Sequence, residues 1–120
     1  MLYFMAIHAD ESVWTRYSEE ERALMMKAHE ALERDLRAAG KYRGCGGLAT
    51  ADTATTVRRQ GDRYVTTDGP FAEAKEQFGG FYLVETDDLD DALAIAKRIP
   101  VPPNGGVEIR PVAVESLVDE

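Results

Sequence analysis

The chain has 120 residues, of which 44% are hydrophobic, 22 are acidic and 14 are basic, so its formal net charge at pH 7 is -8. This length predicts one domain over residues 1–120, with enough apolar residues for a core without metals or disulfides. The negative charge argues against nucleic acid as a general ligand, because it repels a phosphate backbone. The apolar run at residues 2–7 is too short for a membrane span or a signal peptide, and a single cysteine forms no internal disulfide, so we expect a cytoplasmic protein with no membrane partner.

The predicted elements alternate between strands and helices. A strand at residues 2–7 precedes a helix over about residues 19–39, which begins at the capping box Ser18-Glu19-Glu20-Glu21 and ends at Gly40. Further strands are predicted at residues 41–50, 53–59, 63–67, 80–86 and 107–114. The second helix begins at Asp87 or Asp88 and ends at Pro100. This order, β-α-β, a hairpin and again β-α-β, predicts an α+β fold of ferredoxin-like type.

Each predicted helix has an apolar stripe. The first stripe consists of Leu24, Ala28, Leu32, Leu36 and Ala39, with Met25 beside it, and the second of Leu89, Ala92, Leu93, Ala96 and Ile99. Asp35 falls on the apolar side of the first helix, where a carboxylate needs a donor, and Arg110 is a candidate partner.

The strands predict an assembly as well as a sheet. A strand with one wet face alternates apolar with polar residues, but the strand at residues 2–7 is apolar on both faces, and so is the strand that contains residues 81–84. Two helices cover only one face. We therefore expect a homodimer packed through its sheet faces, with a ligand cavity on the second face as the alternative.

The segment from Thr67 to Glu76 is the most distinctive string in the chain. Pro70 pushes Gly69 out of the helical region, and the Asp68 carboxylate accepts amide hydrogen bonds, so a stiff turn is predicted. In the functional interpretation the turn walls a pocket, Asp68 or Glu73 accepts a proton, and Lys75 binds an anion. In the structural interpretation Asp68 caps the turn and Phe71 plugs the core.

Histidines and a late arginine are the other candidates for chemistry. His29 lies at the border of the first stripe, where partial burial would tune its pKa for proton transfer near neutral pH; the alternative, and the commoner outcome at such a position, is a purely structural histidine. Arg110 could hold a substrate carboxylate with Tyr3 or Tyr82 beside it, or form an ion pair with Glu108 or Glu85. Two histidines and one cysteine far apart predict no metal site, and no cofactor motif is present.

Cys45 lies in the string Gly44-Cys45-Gly46-Gly47, which lacks the ending of a phosphate-binding loop. Since no neighbouring residue would activate its thiol, we interpret Cys45 as a small residue packed in a tight loop rather than a nucleophile.

The string Asp68-Gly69-Pro70-Phe71, followed by Glu73, Lys75-Glu76 and Gly79-Gly80-Phe81-Tyr82, resembles the YCII-related family in its DGPF-domain branch. The resemblance extends from the opening strand through Glu20-Glu21-Arg22 to the closing Val107-Glu108-Ile109-Arg110-Pro111-Val112. It implies a dimeric α/β barrel, in which ferredoxin-like protomers pair through their sheets.

Two functions follow as hypotheses. The barrel superfamily includes lyases and isomerases of small molecules, which implies acid/base chemistry by His29, Asp68 or Glu73 on a small carboxylate-bearing substrate. The substrate would contact Gly69, Pro70, Phe71, Lys75, Arg110, Tyr3 and Tyr82. The branch is also linked to extracytoplasmic-function sigma factors, which implies a non-catalytic regulatory module instead. Its contact surface would be residues 34–63, which hold seven basic and three acidic side chains.

Overall fold

The computed structural model describes residues 1–118, so the last two residues of the predicted domain lie outside the described residues. The strands are β1 (Leu2–Ala9), β2 (Tyr42–Gly47), β3 (Thr55–Gln60), β4 (Arg63–Asp68), β5 (Gln77–Glu85) and β6 (Gly106–Pro111). The helices are α1 (Glu11–Arg16), α2 (Glu19–Ala38) and α3 (Leu89–Ala96), with a 3₁₀ turn at Ala51–Thr53. The six predicted strands and both long helices are therefore present, and α1 is an addition.

Four strands form one antiparallel sheet in the order β2-β5-β1-β6. Strands β3 and β4 form a separate two-stranded ribbon across the turn at Gly61. The α+β prediction is confirmed, and the strand order is compatible with a ferredoxin-like fold. Within residues 1–118 no helix has the length and hydropathy that crossing a membrane requires.

The core lies between the helices and one face of the sheet. Its buried side chains are Tyr3, Met5, Leu32, Leu36, Tyr82, Val84, Ala92, Ile95 and Ile99. Alternate residues of β1 and β5 point toward the helices because side chains alternate along a strand. The intervening residues of the same strands, such as Phe4 and Phe81, face the other side of the sheet.

Helix α2 has the predicted ends. The Ser18 hydroxyl accepts from the amide of Glu21, whose carboxylate accepts from the amide of Ser18, and Gly40 has a φ of 72°. The buried stripe differs from the prediction, because Leu24 is 67% exposed and Ala28 and Ala39 are exposed.

The correct stripe of α2 runs through Met25, His29, Leu32 and Leu36. A step of four residues turns about 40° past a full helical turn, so the part of the predicted stripe from Leu24 to Leu36, which has only steps of four, spirals off one face. Steps of four, three and four stay on that face. The predicted stripe therefore coincides with the observed one only at Leu32 and Leu36.

Asp35 does not face the core and does not contact Arg110. It is exposed on α2, and its Oδ2 accepts a hydrogen bond of 2.6 Å from Arg98. The predicted buried carboxylate is wrong for the same reason as the stripe, since the buried line of α2 passes through Leu32 and Leu36.

Helix α3 shows a similar shift. The Asp88 side chain accepts from the amide of Asp91 and caps the helix, as one of the two predicted starts requires. Ala92, Ile95 and Ile99 are buried, whereas Leu89 and Leu93 are 51% and 38% exposed. The helix ends at Ala96, before Pro100.

Candidate functional site

A cavity of about 490 Å³ lies where α1, the middle of α2 and the paired strands β2 and β5 meet. Its lining is mainly apolar and includes Trp14, Met25, His29, Cys45, Leu48 and Tyr82. This volume is within the range of small-molecule sites, about 300–1,000 Å³.

Glycines explain why there is space beneath α2. Gly46 and Gly47 of β2 and Gly79 and Gly80 of β5 line the cavity, and Gly47 pairs with Gly80. A Cβ atom on Gly80 would lie 2.9 Å from the Gly46 carbonyl oxygen, a distance that real Cβ atoms essentially never show. The two strands therefore approach closely where neither carries a side chain, and that part of the sheet leaves room for a ligand.

His29 and Tyr82 form the central polar contact of the site. Nδ1 of His29, on α2, lies 2.7 Å from the hydroxyl oxygen of Tyr82, on β5. The two rings stack with 5.8 Å between their centroids and 14° between their planes. Tyr82 is only 2% exposed, so this hydrogen bond satisfies a polar group within the core.

Burial sets the protonation of this pair. Desolvation lowers the pKa of the His29 imidazole below its usual 6.5. Desolvation raises the pKa of the Tyr82 phenol above its usual 10.0, and Coulombic interactions with Cys45 and Glu33 raise it further by smaller amounts. Near neutral pH both groups are therefore uncharged, and the phenol keeps its proton.

A second polar cluster adjoins this pair and consists of Glu33, Arg37, Tyr42 and Cys45. Nε of Arg37 donates to Glu33 at 3.0 Å, and the guanidinium lies 4.5 Å from the centroid of the Tyr42 ring. The Tyr42 hydroxyl donates to the Cys45 sulfur at 3.1 Å, and the thiol donates to Glu33 at 3.6 Å.

The pKa directions in this cluster follow from these contacts. Burial and then the contact with Cys45 raise the pKa of Tyr42 to about 12. Hydrogen bonding to Arg37 lowers the pKa of Glu33. Cys45 thus belongs to a strand and lines the cavity, instead of lying in a tight loop, and its thiol has two polar partners.

Helix α1 forms one wall of the cavity. Asp10 caps it by accepting from the Ser12 amide at 2.9 Å, and Trp14 lines the cavity. Arg22 of α2 donates to the carbonyl oxygens of Trp14 and Thr15 at 3.3 and 3.1 Å, and its guanidinium lies 5.6 Å from the Trp14 ring. The wall is therefore tied to the start of α2.

The turn at residues 68–71 lies outside the cavity lining. Asp68 ends β4 opposite Thr55, and the Gly69 amide, at a φ of 103°, donates to the Ala54 carbonyl at 2.8 Å. Phe71 is 67% exposed rather than plugging the core, and Arg58 lies over its ring at 4.1 Å and donates to its carbonyl oxygen. These contacts fix the turn on the β3–β4 ribbon, and the proposed roles of Asp68, Gly69, Pro70 and Phe71 at a ligand stay predictions.

Glu73 and Lys75 are exposed and also lie outside the cavity lining. Lys75 is near enough to Asp10 to contribute to lowering its pKa, although the hydrogen bonds from Ser12 contribute more. Of the three residues predicted to move a proton, only His29 reaches the cavity. The roles of Glu73 and Lys75 stay predictions.

Arg110 and the two tyrosines lie on opposite faces of the sheet. Arg110 donates to Glu108 at 2.9 Å, the ion pair that was the alternative interpretation. Tyr3 and Tyr82 are buried on the helix-covered face, so the predicted grouping of Arg110 with either tyrosine is wrong. The cause is the alternation of β6, in which Ile109 faces the helices and Arg110 does not.

The open face of the sheet carries a second, shallower groove of about 320 Å³. Phe4 stacks on Phe81 with 5.6 Å between ring centroids, and Phe78 is 45% exposed. His8 lies 3.6 Å from Glu108 at the rim. This face is apolar at its centre and charged at one edge.

The sequence did not identify three residues of the site, which are Trp14, Glu33 and Cys45. Two signals could have identified the region: the spacing of Met25, His29 and Glu33 in steps of four on α2, and the glycine pairs of two neighbouring strands. Within residues 1–118 no group of three histidine, cysteine or acidic residues is arranged to hold a metal ion.

Comparison with known proteins connects the whole fold to one family. The family model described as YCII-related domain matches residues 1–116. An uncharacterized protein of Rhizobium meliloti (strain 1021) is 38% identical over 116 residues, which cover 95% of this chain and 94% of that protein.

Proposed function

Because the chain belongs to the YCII-related family, we propose that it is a small-molecule-binding member that uses His29 for proton transfer, in the manner of a lyase or isomerase. The single observation that carries this proposal is the contact of 2.7 Å between His29 and Tyr82 at the wall of a 490 Å³ cavity. An apolar cavity with a few convergent polar groups is the usual form of a ligand site.

The pair has a consistent division of roles. In this proposal Nδ1–H of His29 donates to the Tyr82 hydroxyl oxygen, and this tautomer leaves Nε2 of the neutral imidazole unprotonated and able to accept a proton. Tyr82 holds the imidazole in one orientation and is a positioning residue. His29, neutral near pH 7, accepts a proton from a ligand and returns it at another atom.

Exchange of ligand protons with solvent tests this proposal without a known product. Small carbonyl compounds with acidic C–H bonds are incubated with the protein in D₂O, and loss of the C–H signal is followed by ¹H NMR. A compound that exchanges faster with protein present identifies proton abstraction. His29→Gln should lower that rate by about 10²–10⁴-fold, the usual contribution of a general base.

His8→Gln is the matched control, because it removes the other histidine from the open face and leaves the cavity unchanged. Tyr82→Phe should reduce exchange about tenfold, an expectation for losing one orienting hydrogen bond. Exchange that survives His29→Gln contradicts the proposal. If the cavity binds no small molecule at all, the regulatory hypothesis with a sigma-factor partner is the one to pursue.

The proposed assembly is a homodimer through the open faces of two sheets. Exposed Phe78 and the stacked Phe4 and Phe81 support it, since a contiguous apolar patch marks an interface. Sedimentation at micromolar concentration should give twice the mass of the chain, and Phe81→Lys should give a single subunit. A stable single subunit of the unaltered protein contradicts this assembly.

The unpaired thiol of Cys45 fits a reducing compartment, so we place the dimer in the cytoplasm.

A further inference from the structure

The cavity wall carries negative charge that is not matched by positive charge. Among the residues that the structure describes, its lining includes four carboxylates and no lysine or arginine side chain. The carboxylates are Asp10, Glu11, Glu30 and Glu33. A bound anion would therefore meet like charges without an opposing one.

Nearby groups compensate the carboxylates unequally. Glu33 pairs with Arg37, and Asp10 lies within the field of Lys75 and Arg16. Glu11 accepts from the Ala51 amide at 2.8 Å, which stabilises the carboxylate without neutralising it. Glu30 has no ion pair with any partner in residues 1–118. The excess charge of the wall is thus concentrated at Glu11 and Glu30.

The remaining polar groups of the site supply no positive charge. Burial lowers the pKa of His29, so the imidazole is neutral at pH 7 and above. Tyr82 is an uncharged phenol. The ring of Trp14 lines the cavity as an apolar surface, since the guanidinium of Arg22 already lies 5.6 Å from its centroid.

We propose that the ligand of this cavity is an amine, protonated at neutral pH and carried on an apolar body, with its ammonium group near Glu30 and its body against Trp14 and Met25. This rests on the proposed function, because it assumes that the cavity binds a ligand. It replaces the small carboxylate expected from the sequence, for which Lys75 and Arg110 were the anchors and neither lines the cavity.

Three probes with nearly the same skeleton separate charge from apolar contact. They are 2-phenylethylamine, 2-phenylethanol and 3-phenylpropionate, titrated into the protein at pH 7.5 and low salt by calorimetry. The amine should bind about tenfold more tightly than the alcohol, and the carboxylate more weakly than the alcohol. Raising the salt concentration should reduce the preference for the amine.

Two variants and one control assign the preference to the wall. Glu30→Gln should remove most of the tenfold preference while the affinity for the alcohol stays unchanged. Glu33→Gln should act in the same direction but less strongly, because Arg37 already pairs with that carboxylate. Glu20→Gln changes an exposed carboxylate on α2 outside the cavity lining and should leave all three affinities as they are. The thermal midpoint of each variant, measured in parallel, reports whether it folds.

The outcomes distinguish this inference from the proposed function. Binding of the alcohol with equal or greater affinity than the amine overturns the inference and leaves the cavity site intact. Tighter binding of the carboxylate overturns it as well. A preference for the amine that survives both substitutions places the charge selectivity elsewhere and overturns the assignment. If none of the three probes binds, the cavity site itself is contradicted and the inference fails with it.

Discussion

The two faces of the four-stranded sheet are similarly apolar in sequence but differ in what covers them. On one face Met5 and Val84 are fully buried beneath α2 and α3. On the other, Phe78 is 45% exposed and Phe4 and Phe81 cover only each other and their neighbours. The covered face holds the core and the cavity, so it accounts for the stability of one chain. The open face is available for contact with another molecule.

The largest expected effect contrasts two adjacent residues of β1. Met5→Ala should lower the free energy of unfolding by about 2–5 kcal/mol, because it leaves a cavity among fully buried neighbours. Phe4→Ala should cost less in a dilute sample, since its ring is only half-buried on the open face. Urea denaturation gives both values.

Protein concentration sharpens that contrast. If two sheets pair through their open faces, the cost of Phe4→Ala should rise with concentration, whereas the cost of Met5→Ala should depend on it much less. Equal costs for the two variants at every concentration would contradict the distinction between the faces.

The next effect concerns the glycines that line the cavity. Gly80→Ala should destabilise the fold by about 1–3 kcal/mol, because the new Cβ atom would lie 2.9 Å from the Gly46 carbonyl and force β2 and β5 apart. Gly47→Ala is the matched control, since nothing lies within 4 Å of its added Cβ. Thermal denaturation of both variants measures the difference.

Gly80→Ala should also weaken binding of any cavity ligand, because the methyl group and the displaced strand occupy its space. A Gly80→Ala protein as stable as Gly47→Ala would show that the strands do not approach as closely as the structure has them.

Alkaline titration tests the raised pKa values of the Tyr42 and Tyr82 phenols. The pKa of Tyr42 is raised to about 12 and that of Tyr82 is raised further, both chiefly by burial. The unfolded chain loses these protons near pH 10, earlier than the folded chain, so stability should fall as the pH rises above about 10. Absorbance at 295 nm should show a late component that Tyr42→Phe and Tyr82→Phe each reduce. A late component unchanged in both variants would contradict these directions.

The order of elements was predictable because it depends on local signals. The capping box at Ser18, the stop at Gly40 and the hairpin turn at Gly61 each act within a few residues, and all three are present in the structure. The buried face of α2 was not predictable from apolar residues spaced four apart alone. Leu24 and Leu36 are both leucines on the same helix, and only the packing against the sheet decides which of them is buried.

The candidate site was predictable only in part, since it combines distant segments. The sequence identified His29 from its border position on α2 and Tyr82 from its strand. Arg110, which was predicted to lie beside a tyrosine, lies on the opposite face of the sheet. Cys45 reaches the cavity because β2 pairs with β5, a contact that no local pattern specifies. The conspicuous turn at residues 68–71 drew attention to a surface ribbon instead.

The smallest effect concerns His29 and its pH dependence. Because burial lowers the folded-state pKa of His29, the unfolded chain binds a proton near pH 6.5 that the folded chain does not yet bind. The contribution of His29 to stability should therefore be constant above about pH 7 and fall as the pH drops through 6.5, until the folded-state pKa is passed. NMR titration of the imidazole should give a midpoint below 6.5, and His29→Gln should remove this part of the pH dependence. Tyr82→Phe should leave the midpoint low, because desolvation rather than the phenol is the cause. A midpoint at or above 6.5 in the unaltered protein would mean that the imidazole is more solvated than its place beside Tyr82 indicates, and a charged His29 would then weaken the case for an amine in the cavity.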